Sequence, residues 1–332
     1  MAASIKDVAK TAGVSIATVS RVLNNIDVVN EDTKRKVLDA IKELGYRPNI
    51  VARSLKTQRT KTIGILIPDI SSQFYPEIVR GAEDVANIYD YNVILCNSDF
   101  DSEKEKEYLR VLKEKMVDGV IYMSSSFSEE ILKLINELNL NTILVESKDS
   151  ENRLPSVTID NVGATYEATK YLIDKGIKKL AFIGVEADNT NAWGERYLGF
   201  KKALDDNNIA LDEDLVFLDT MKVKSGYEAV DKFVQSKKKF EGIVCASDEI
   251  AMGAINGLRE KGINVPDDVS VIGFNNNAVS SIFYPKLTTI SQPSYDMGSV
   301  AMRMLIKLLT KQELEQSSYV LDYRLIERES TK

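Results

Sequence analysis

The sequence predicts an N-terminal all-α helix-turn-helix unit followed by a two-lobed α/β core, and three observations support this. Residues 5–25 (IKDVAKTAGVSIATVSRVLNN) hold two short amphipathic helical patterns joined at a glycine. After residue 62, short β-rich runs alternate with amphipathic helical stretches, which is typical of parallel sheets covered by helices. The charge also changes sign, because residues 1–61 are net +6 and the rest of the chain is net −13.

The first two helices are predicted from the spacing of their apolar residues. Gly13 turns the chain between them, and Ser15 is a favourable N-cap for the second helix. The residues expected to face inward are Ile5, Val8, Ala9, Ala12, Val19, Val22 and Leu23. Those expected to face outward are Ile16, Ala17, Ser20 and Arg21. A recognition helix needs this arrangement to present its first residues to the major groove, whereas the alternative is an ordinary helical hairpin.

A third helix is predicted over residues 30–45, with Asn30 as its cap and Gly45 as its stop. Acidic residues occupy its first turn, where they interact favourably with the helix dipole. Its predicted apolar face consists of Val37, Leu38, Ile41 and Leu44. This face can close a small three-helix core.

Composition excludes several functional classes. The 332 residues include no histidine, which removes Ser–His and Cys–His catalysis and the commonest transition-metal ligand. No G-x-x-x-x-G-K-[ST] run is present, so we expect no enzyme, no metal site and no cofactor. No apolar run approaches the roughly 20 residues that span a bilayer, and no signal peptide is evident, so a cytoplasmic protein is expected. Cys96 and Cys245 lie in apolar runs and are expected to be buried reduced thiols.

The body is predicted to contain two sets of parallel strands, hence two lobes. The predicted strands are 62–68, 91–96, 118–123, 142–145, 156–160, 179–184, 215–219, 242–247 and 269–274. The predicted helices are 73–90, 103–116, 128–138, 161–175, 194–207, 224–236 and 248–261. Sheets of this kind bind ligands beyond the carboxyl ends of their strands.

The order of several motifs resembles that of the LacI/GalR family of bacterial transcription regulators. The head carries DVAKTAGVS, TVSRVLN, GYRPN and ARSLKT, and the body carries RYLGF, SDEIAMGAINGLREKGINVPDDVSVIGF and LTTISQP. The resemblance implies a lambda-repressor-like DNA-binding domain at 1–48, a hinge at 49–61 and a periplasmic-binding-protein-like core at 62–332. Within the core, it implies an N-lobe at 62–160 and 292–332 and a C-lobe at 161–291.

The resemblance also implies a DNA-binding regulator that recognises an operator in double-stranded DNA. It places Ile16, Ala17 and Arg21 at base edges, where Arg21 can donate two hydrogen bonds to a guanine. Phosphate contacts are expected from Ser15, Thr18, Ser20, Asn24, Asn25 and Lys34. For Thr18 and Ser20, a solvated or intrahelical role is an equal alternative.

Residues 49–57 are similar to the hinge helix of the family. The hinge residues expected at DNA are Asn49, Ala52, Arg53, Leu55 and Lys56. Leu55 is expected to act as a minor-groove wedge, and the alternative is a linker leucine that packs on its own domain. A helix of about nine residues is marginal alone in water. It should therefore form when a homodimer meets a pseudo-palindromic operator.

Two effector hypotheses follow from the resemblance. The first is a sugar or purine in the cleft between the lobes, with Arg196 and Asn275 as candidate ligands. In this chain Asn275 stands where the family commonly has a charged acceptor for paired sugar hydroxyls, which weakens that hypothesis. Phosphorylated sugars are a further candidate as adjunct ligands.

The second hypothesis comes from SQPSYDMGSVAMRMLIKLL (291–309) and the closing RLIERESTK. These segments resemble the carbon-catabolite-control members of the family, whose co-repressor is the phosphocarrier protein HPr phosphorylated on serine. Arg303 and Lys307 lie four residues apart and can bracket a phosphoserine. The other residues assigned to this contact are Asp69, Asp84, Tyr295 and Asp296. The alternative is a solvated basic helix edge.

Overall fold

The structure is a computed structural model that describes residues 3–23, 29–46, 59–124, 127–185 and 191–332. The chain divides into two compact units, Met1–Thr60 and Lys61–Lys332. The described helices of the first unit are α1 (Ile5–Ala12), α2 (Ile16–Leu23) and α3 (Glu31–Glu43).

Local sequence signals set the ends of these three helices. A reciprocal pair of hydrogen bonds between Ser4 and Asp7 caps α1. The Asn30 side chain accepts the Thr33 N–H at 2.8 Å and caps α3, as predicted. Gly13 and Gly45 follow α1 and α3 with φ of +66° and +58°, a conformation in which glycine is unstrained.

The core of the first unit is small and consists mainly of valine and alanine. Val8, Val19 and Val37 are fully buried where the three helices meet. The prediction for Leu38 was wrong, because its side chain is 50% exposed. Leu38 lies about 100° around the helix from Val37, and Ala40 occupies the buried position instead.

The second unit contains two six-stranded sheets. The first sheet has the order β11-β5-β4-β3-β1-β2, and all of its strands are parallel. Its strands are β1 (Thr62–Ile67), β2 (Asn92–Asn97), β3 (Gly119–Met123), β4 (Thr142–Val145), β5 (Ser156–Ile159) and β11 (Ser318–Leu321). The second sheet has the order β12-β10-β9-β8-β6-β7. Its strands are β6 (Leu180–Val185), β7 (Val216–Asp219), β8 (Gly242–Cys245), β9 (Ser270–Asn275), β10 (Thr288–Ser291) and β12 (Arg324–Ile326).

Helices cover the two sheets. They are α4 (Phe74–Ile88), α5 (Ser102–Glu114), α6 (Glu129–Glu137), α7 (Asn161–Asp174), α8 (Ala192–Asp206), α9 (Val223–Gln235), α10 (Asp248–Glu260) and α11 (Ser294–Leu309). The nine predicted strands and seven predicted helices of the body are confirmed. None of the helices in the described ranges is long and apolar enough to cross a bilayer. Cys96 and Cys245 are buried free thiols, as predicted.

The end of the chain departs from the predicted lobe boundary. All of 292–332 was predicted to belong to the N-lobe, but β12 pairs antiparallel with β10 of the second sheet. Beyond β12, the Ser330 hydroxyl donates to Val271 O at 2.6 Å. The last nine residues therefore belong to the C-lobe, because backbone pairing with β10 and with the strand at Val271 satisfies their polar groups.

Candidate functional site

The exposed face of α2 carries the residues predicted to read base edges. Ile16 is 45% exposed, and Ala17 and Arg21 are exposed beside it, while Val19 and Val22 of the same helix are buried. These three side chains therefore lie together on the outer surface of the helix.

Two of the predicted phosphate contacts make local hydrogen bonds. Ser15 Oγ accepts the Thr18 N–H at 3.1 Å, and the two hydroxyls lie 2.9 Å apart. Ser15 thus caps α2, as predicted, and Thr18 has an intrahelical partner. Ser20 is partly buried. Lys34 Nζ lies 3.8 Å from Glu31 Oε1 on α3. The remaining predicted DNA contacts lie outside the described residues: Asn24, Asn25, Asn49, Ala52, Arg53, Leu55 and Lys56.

The second candidate face is formed by α11 packed against α4. Two glycines permit an unusually close approach of these helices. A Cβ on Gly298 would lie 1.8 Å from Ile78 O, and one on Gly81 would lie 1.9 Å from Tyr295 O. The Ser299 hydroxyl also donates to Gly81 O at 3.2 Å. The position of α11 is therefore firmly determined by α4.

This packing brings together two of the residues predicted to bind a phosphoprotein. The Tyr295 hydroxyl donates to Asp84 Oδ2 at 3.0 Å, and Arg80 Nε lies 3.3 Å from the same oxygen. The hydrogen bond to Asp84 raises the pKa of Tyr295. Asp69 is not part of this group: its Oδ1 accepts from the Ser71 N–H at 2.8 Å in a local turn after β1.

The two predicted cations of α11 differ in their surroundings. Arg303 is exposed and makes no ion pair with any described residue. Lys307 Nζ lies 2.7 Å from Glu315 Oε1, and this hydrogen bond raises the pKa of Lys307 and lowers that of Glu315. Asp296 is exposed seven residues before Arg303, and a rise of 1.5 Å per residue separates them by about 10 Å along the helix.

Sequence reasoning missed three residues of this face. Arg80 and Glu315 pair with predicted residues, and Ile88 at the end of α4 is 74% exposed. The i, i+4 spacing of Arg80 and Asp84 was a signal that could have identified the first pair. Glu315 carried no such signal, because it reaches back from beyond the end of α11.

The third candidate site is the cleft between the lobes, where Arg196 is 1% exposed. Its Nε donates to Asn161 Oδ1 at 3.0 Å, its Nη1 to Ala246 O at 2.9 Å and its Nη2 to Glu146 Oε2 at 3.0 Å. The guanidinium also lies 3.9 Å from the centre of the Phe274 ring. Burial raises the pKa of Glu146, and the charge of Arg196 opposes that effect.

Asn275, the other candidate cleft ligand, ends β9 with φ of +112°. Its carboxamide lies 2.8 Å from that of Gln292, and its second polar atom is buried with no partner among the described residues. An open groove of about 700 Å³ beside it is lined by residues of both lobes, including Ser72, Asn276 and Tyr295.

A buried carboxyl group supports the loop that follows Asn275. Asp248 accepts the Thr289 hydroxyl at 2.6 Å and the Asn277 N–H at 2.7 Å. Burial raises the pKa of Asp248 to about 8, against the effect of these two hydrogen bonds. Next to it, Glu249 Oε1 accepts from Asn277 Nδ2 at 3.0 Å and from the Ser72 hydroxyl of the N-lobe at 3.1 Å. The loop is therefore attached to both lobes.

Two family models match the chain. A model described as bacterial regulatory proteins of the lacI family matches residues 4–49. A second, described as periplasmic binding proteins and sugar binding domain of the LacI family, matches residues 60–329. The two matches correspond to the helical unit and to the two-sheet unit.

Similar proteins match over the full length. The HTH-type transcriptional regulator RegA of Clostridium saccharobutylicum is 72% identical over 331 residues, with 100% of both chains covered. Catabolite control protein A of Priestia megaterium is 41% identical over 332 residues, also with 100% of both chains covered. Among solved structures, the complex of transcriptional regulator CelR with cellobiose is 28% identical, has a TM-score of 0.76 and covers 99% of both chains.

Proposed function

This chain belongs to the LacI family of bacterial regulatory proteins, and we propose that it is a dimeric operator-binding regulator of carbon catabolite control whose operator affinity is raised by seryl-phosphorylated HPr. The proposed organisation is a DNA-binding domain at 1–48, a hinge at 49–61 and a regulatory core at 62–332. A relative that matches over the full length is named HTH-type transcriptional regulator RegA, and we infer that this chain has no enzymatic activity of its own.

We infer that α2 is the recognition helix. The supporting observation is that Ile16, Ala17 and Arg21 are exposed together while Val19 and Val22 hold the helix on its core. Arg21 would donate two hydrogen bonds to a guanine, and the apolar Ile16 and Ala17 would contact thymine methyl groups. Ser15, Thr18, Ser20 and Asn24 would position the helix on the phosphates.

Arg21→Ala tests this assignment in operator-binding titrations at one salt concentration. We expect a loss of about 10- to 100-fold in affinity for the operator and a much smaller loss for random DNA, because a bidentate arginine–guanine contact contributes about 1–3 kcal/mol of discrimination. The matched control is Arg35→Ala, which removes the same charge from α3, where Arg35 is exposed and pairs with Asp32 at 3.0 Å. Equal losses on both DNAs would contradict base recognition by Arg21.

The hinge supplies the second proposed DNA contact, through Asn49, Ala52, Arg53, Leu55 and Lys56. An apolar Leu55 inserted from each protomer would open a base step in the minor groove and kink the operator. Leu55→Ser should then weaken operator binding more than binding to random DNA, because only the bent site uses the wedge. A homodimer matches the two half-sites of a pseudo-palindromic operator, and we assign the exposed Ile282 and Tyr284 of the core unit, at 79% each, to its apolar contact.

The α11 face is the proposed docking site for seryl-phosphorylated HPr, and the observation that carries this proposal is the exposed Arg303 without an ion-pair partner among the described residues. A guanidinium in this state can form two hydrogen bonds with a phosphate without first breaking a protein contact. Lys307 would add a second cation, and Asp296 and Asp84 would meet basic groups of the carrier. Ile88 would contribute apolar contact at the end of α4.

The test measures operator affinity with phosphorylated carrier, unphosphorylated carrier, and a panel of sugars, phosphorylated sugars and purines. We expect only the phosphorylated carrier to raise affinity strongly. Arg303→Ala should reduce carrier binding about 10- to 100-fold, since a hydrogen bond to a charged group contributes about 1.5–3 kcal/mol. Arg110→Ala on α5 is the matched control, because Arg110 is also exposed and makes no ion pair with a described residue.

The alternative is a LacI-type repressor gated by a sugar or purine in the cleft. Two observations favour it: CelR, a relative of similar fold, is described in complex with cellobiose, and a polar atom of Asn275 is buried without a partner. An operator response to a sugar or purine alone, with none to the phosphorylated carrier, would replace the HPr proposal with this one. A phosphorylated sugar that acts only when the carrier is present would be an adjunct ligand.

A further inference from the structure

The residue that follows β4 joins the two lobes of the core. Glu146 leaves the N-lobe sheet with φ of +64°, and its carboxylate reaches Arg196 on α8 of the C-lobe. The two side chains are 4% and 1% exposed. The left-handed backbone conformation is unfavourable for glutamate, so its persistence indicates that the contact with the C-lobe holds it in place.

The next two residues of the chain also contact the C-lobe. Ser147 forms an antiparallel β-bridge with Asn191, immediately before α8. Lys148 forms an ion pair with Glu195 in the first turn of α8. Glu146, Ser147 and Lys148 thus form three consecutive contacts with one end of one helix, and we call this segment the interlobe clasp. A further interlobe hydrogen bond, from Ser72 to Glu249, lies outside the clasp.

The clasp supplies the anionic partner of Arg196, the cleft arginine. All three nitrogens of the Arg196 guanidinium donate to protein acceptors, and one face of the group stacks on Phe274. Glu146 is the anionic member of this set. A buried arginine needs such a partner, because an uncompensated charge in the protein interior is strongly unfavourable. An anionic ligand that paired with Arg196 would have to displace Glu146 from this ion pair.

We propose that Glu146 is a built-in ligand of Arg196, which closes the two lobes of this chain in the absence of any small molecule. The position beside Arg196 in the cleft is therefore occupied by a carboxylate of the chain itself. It follows that closure of the core does not depend on the sugar or purine concentration. The inference rests on the assignment of the cleft to a LacI-family core, and it is independent of whether HPr docks at Arg303.

The proposal is tested by removing the carboxylate of Glu146 and supplying acetate in its place. Glu146→Ala should open the core, with a larger radius of gyration in small-angle X-ray scattering and a thermal midpoint lower by several degrees. The substitution leaves a space beside Arg196 that the carboxylate of Glu146 fills in the wild-type chain. Sodium acetate at tens of millimolar should restore both values, whereas sodium chloride at the same ionic strength should not. The wild-type chain should not respond to acetate.

The matched control is Glu130→Ala. Glu130 pairs with Lys106 at 2.6 Å, but both residues belong to the N-lobe, so that variant should keep its radius of gyration and show no rescue by acetate. A Glu146→Ala chain that stays closed, or one that opens and folds normally but ignores acetate, would overturn the proposal.

A second variant covers the case in which Glu146→Ala does not fold. Glu146→Gln keeps the volume and one acceptor but removes the charge, and we expect a thermal midpoint between those of the wild type and the alanine variant, with no response to acetate. A glutamine variant as closed and as stable as the wild type would also overturn the proposal. Failure of the HPr hypothesis has a different signature, because it is the absence of a carrier response in the wild-type chain and leaves the scattering and acetate results unchanged.

Discussion

Arg196 and Arg303 are the same amino acid in opposite environments. Arg196 is buried between the lobes, where it donates to a carboxylate, a carboxamide and a carbonyl. Arg303 is exposed on α11 and has no ion-pair partner among the described residues. The charge of the first is already compensated by a buried carboxylate, and the second is available to pair with an anion of another molecule. The comparison shows why the motif residue Arg196 is a weaker candidate for ligand binding than Arg303.

The largest expected effect is the difference in protein stability between replacing Arg196 and replacing Arg303. Arg196→Ala should lower the free energy of unfolding by about 3–5 kcal/mol, because it leaves Glu146 as a buried carboxylate without its cation. Arg303→Ala should change it by less than about 0.5 kcal/mol, as expected for an exposed side chain. Urea unfolding of both variants measures the difference, and similar losses would remove the basis of the comparison.

The next effect concerns the rigidity of the α11 face. Gly298→Ala places a Cβ against Ile78 O, so the helices must separate, and we expect a destabilisation of about 1–3 kcal/mol. The same shift should break the hydrogen bond between Tyr295 and Asp84 and weaken carrier binding. Ala301→Gly is a destabilised control on the same helix, because it lowers helix propensity and removes a buried methyl group without adding a Cβ beside Ile78; it should leave carrier affinity unchanged. Unchanged carrier affinity in Gly298→Ala would show that docking does not need the close approach of α4 and α11.

A third prediction is that the stability of the core depends on pH through Asp248, the buried carboxyl group below the loop that follows Asn275. Asp248 has a pKa of about 8 in the folded chain against a usual 3.8, so between these values the folded state holds a proton that the unfolded state releases. The stabilisation is therefore complete below about pH 4 and is lost as the pH rises toward 8, by at most about 1.4 kcal/mol per pH unit. Asp248→Asn mimics the protonated form and should flatten this slope in denaturant titrations at pH 5–8. An unchanged slope would assign the dependence to other groups.

The smallest expected effect is a change in carrier affinity when the ion pair between Lys307 and Glu315 is removed. Glu315→Gln should free Lys307 and raise affinity for the phosphorylated carrier about 2- to 5-fold, with little change in stability, because exposed ion pairs contribute little. Glu313→Gln is the control, since it removes the same charge from the same loop, where Glu313 makes no ion pair with a described residue. Equal gains in both variants would indicate a general charge effect rather than release of Lys307.

Much of the fold was predictable because its signals are local. The caps at Asn30 and Ser15 and the stop at Gly45 depend on neighbouring residues, and the nine predicted strands of the body follow from apolar runs of four to seven residues. The errors came from positions where periodicity is ambiguous. Leu38 was assigned to the core from its residue type, although it lies at the edge of the apolar face. The short β12 has no alternation strong enough to reveal which sheet it joins.

The positions of the candidate site residues were predictable from the sequence, but the partners of their charged side chains were not. Sequence spacing placed Arg303 and Lys307 on one helical face, and it could not reveal that Glu315 pairs with Lys307. The motif RYLGF drew attention to Arg196, but the carboxylate that holds it is 50 residues away in the other lobe. Long-range pairs of this kind depend on how two separately folded sheets meet, which no local pattern encodes.

The sequence by itself determined the helix-turn-helix unit, the two-lobed α/β core, the reversal of charge between them and membership of the LacI family, since all of these depend on short-range spacing and composition. Only the tertiary structure decided which charged side chains are available. Arg196 and Glu146 lose that availability because the fold buries them against each other, and Arg303 keeps it because α11 directs it away from the sheet. The charge of a residue is a property of the sequence, whereas the partner of that charge is a property of the fold.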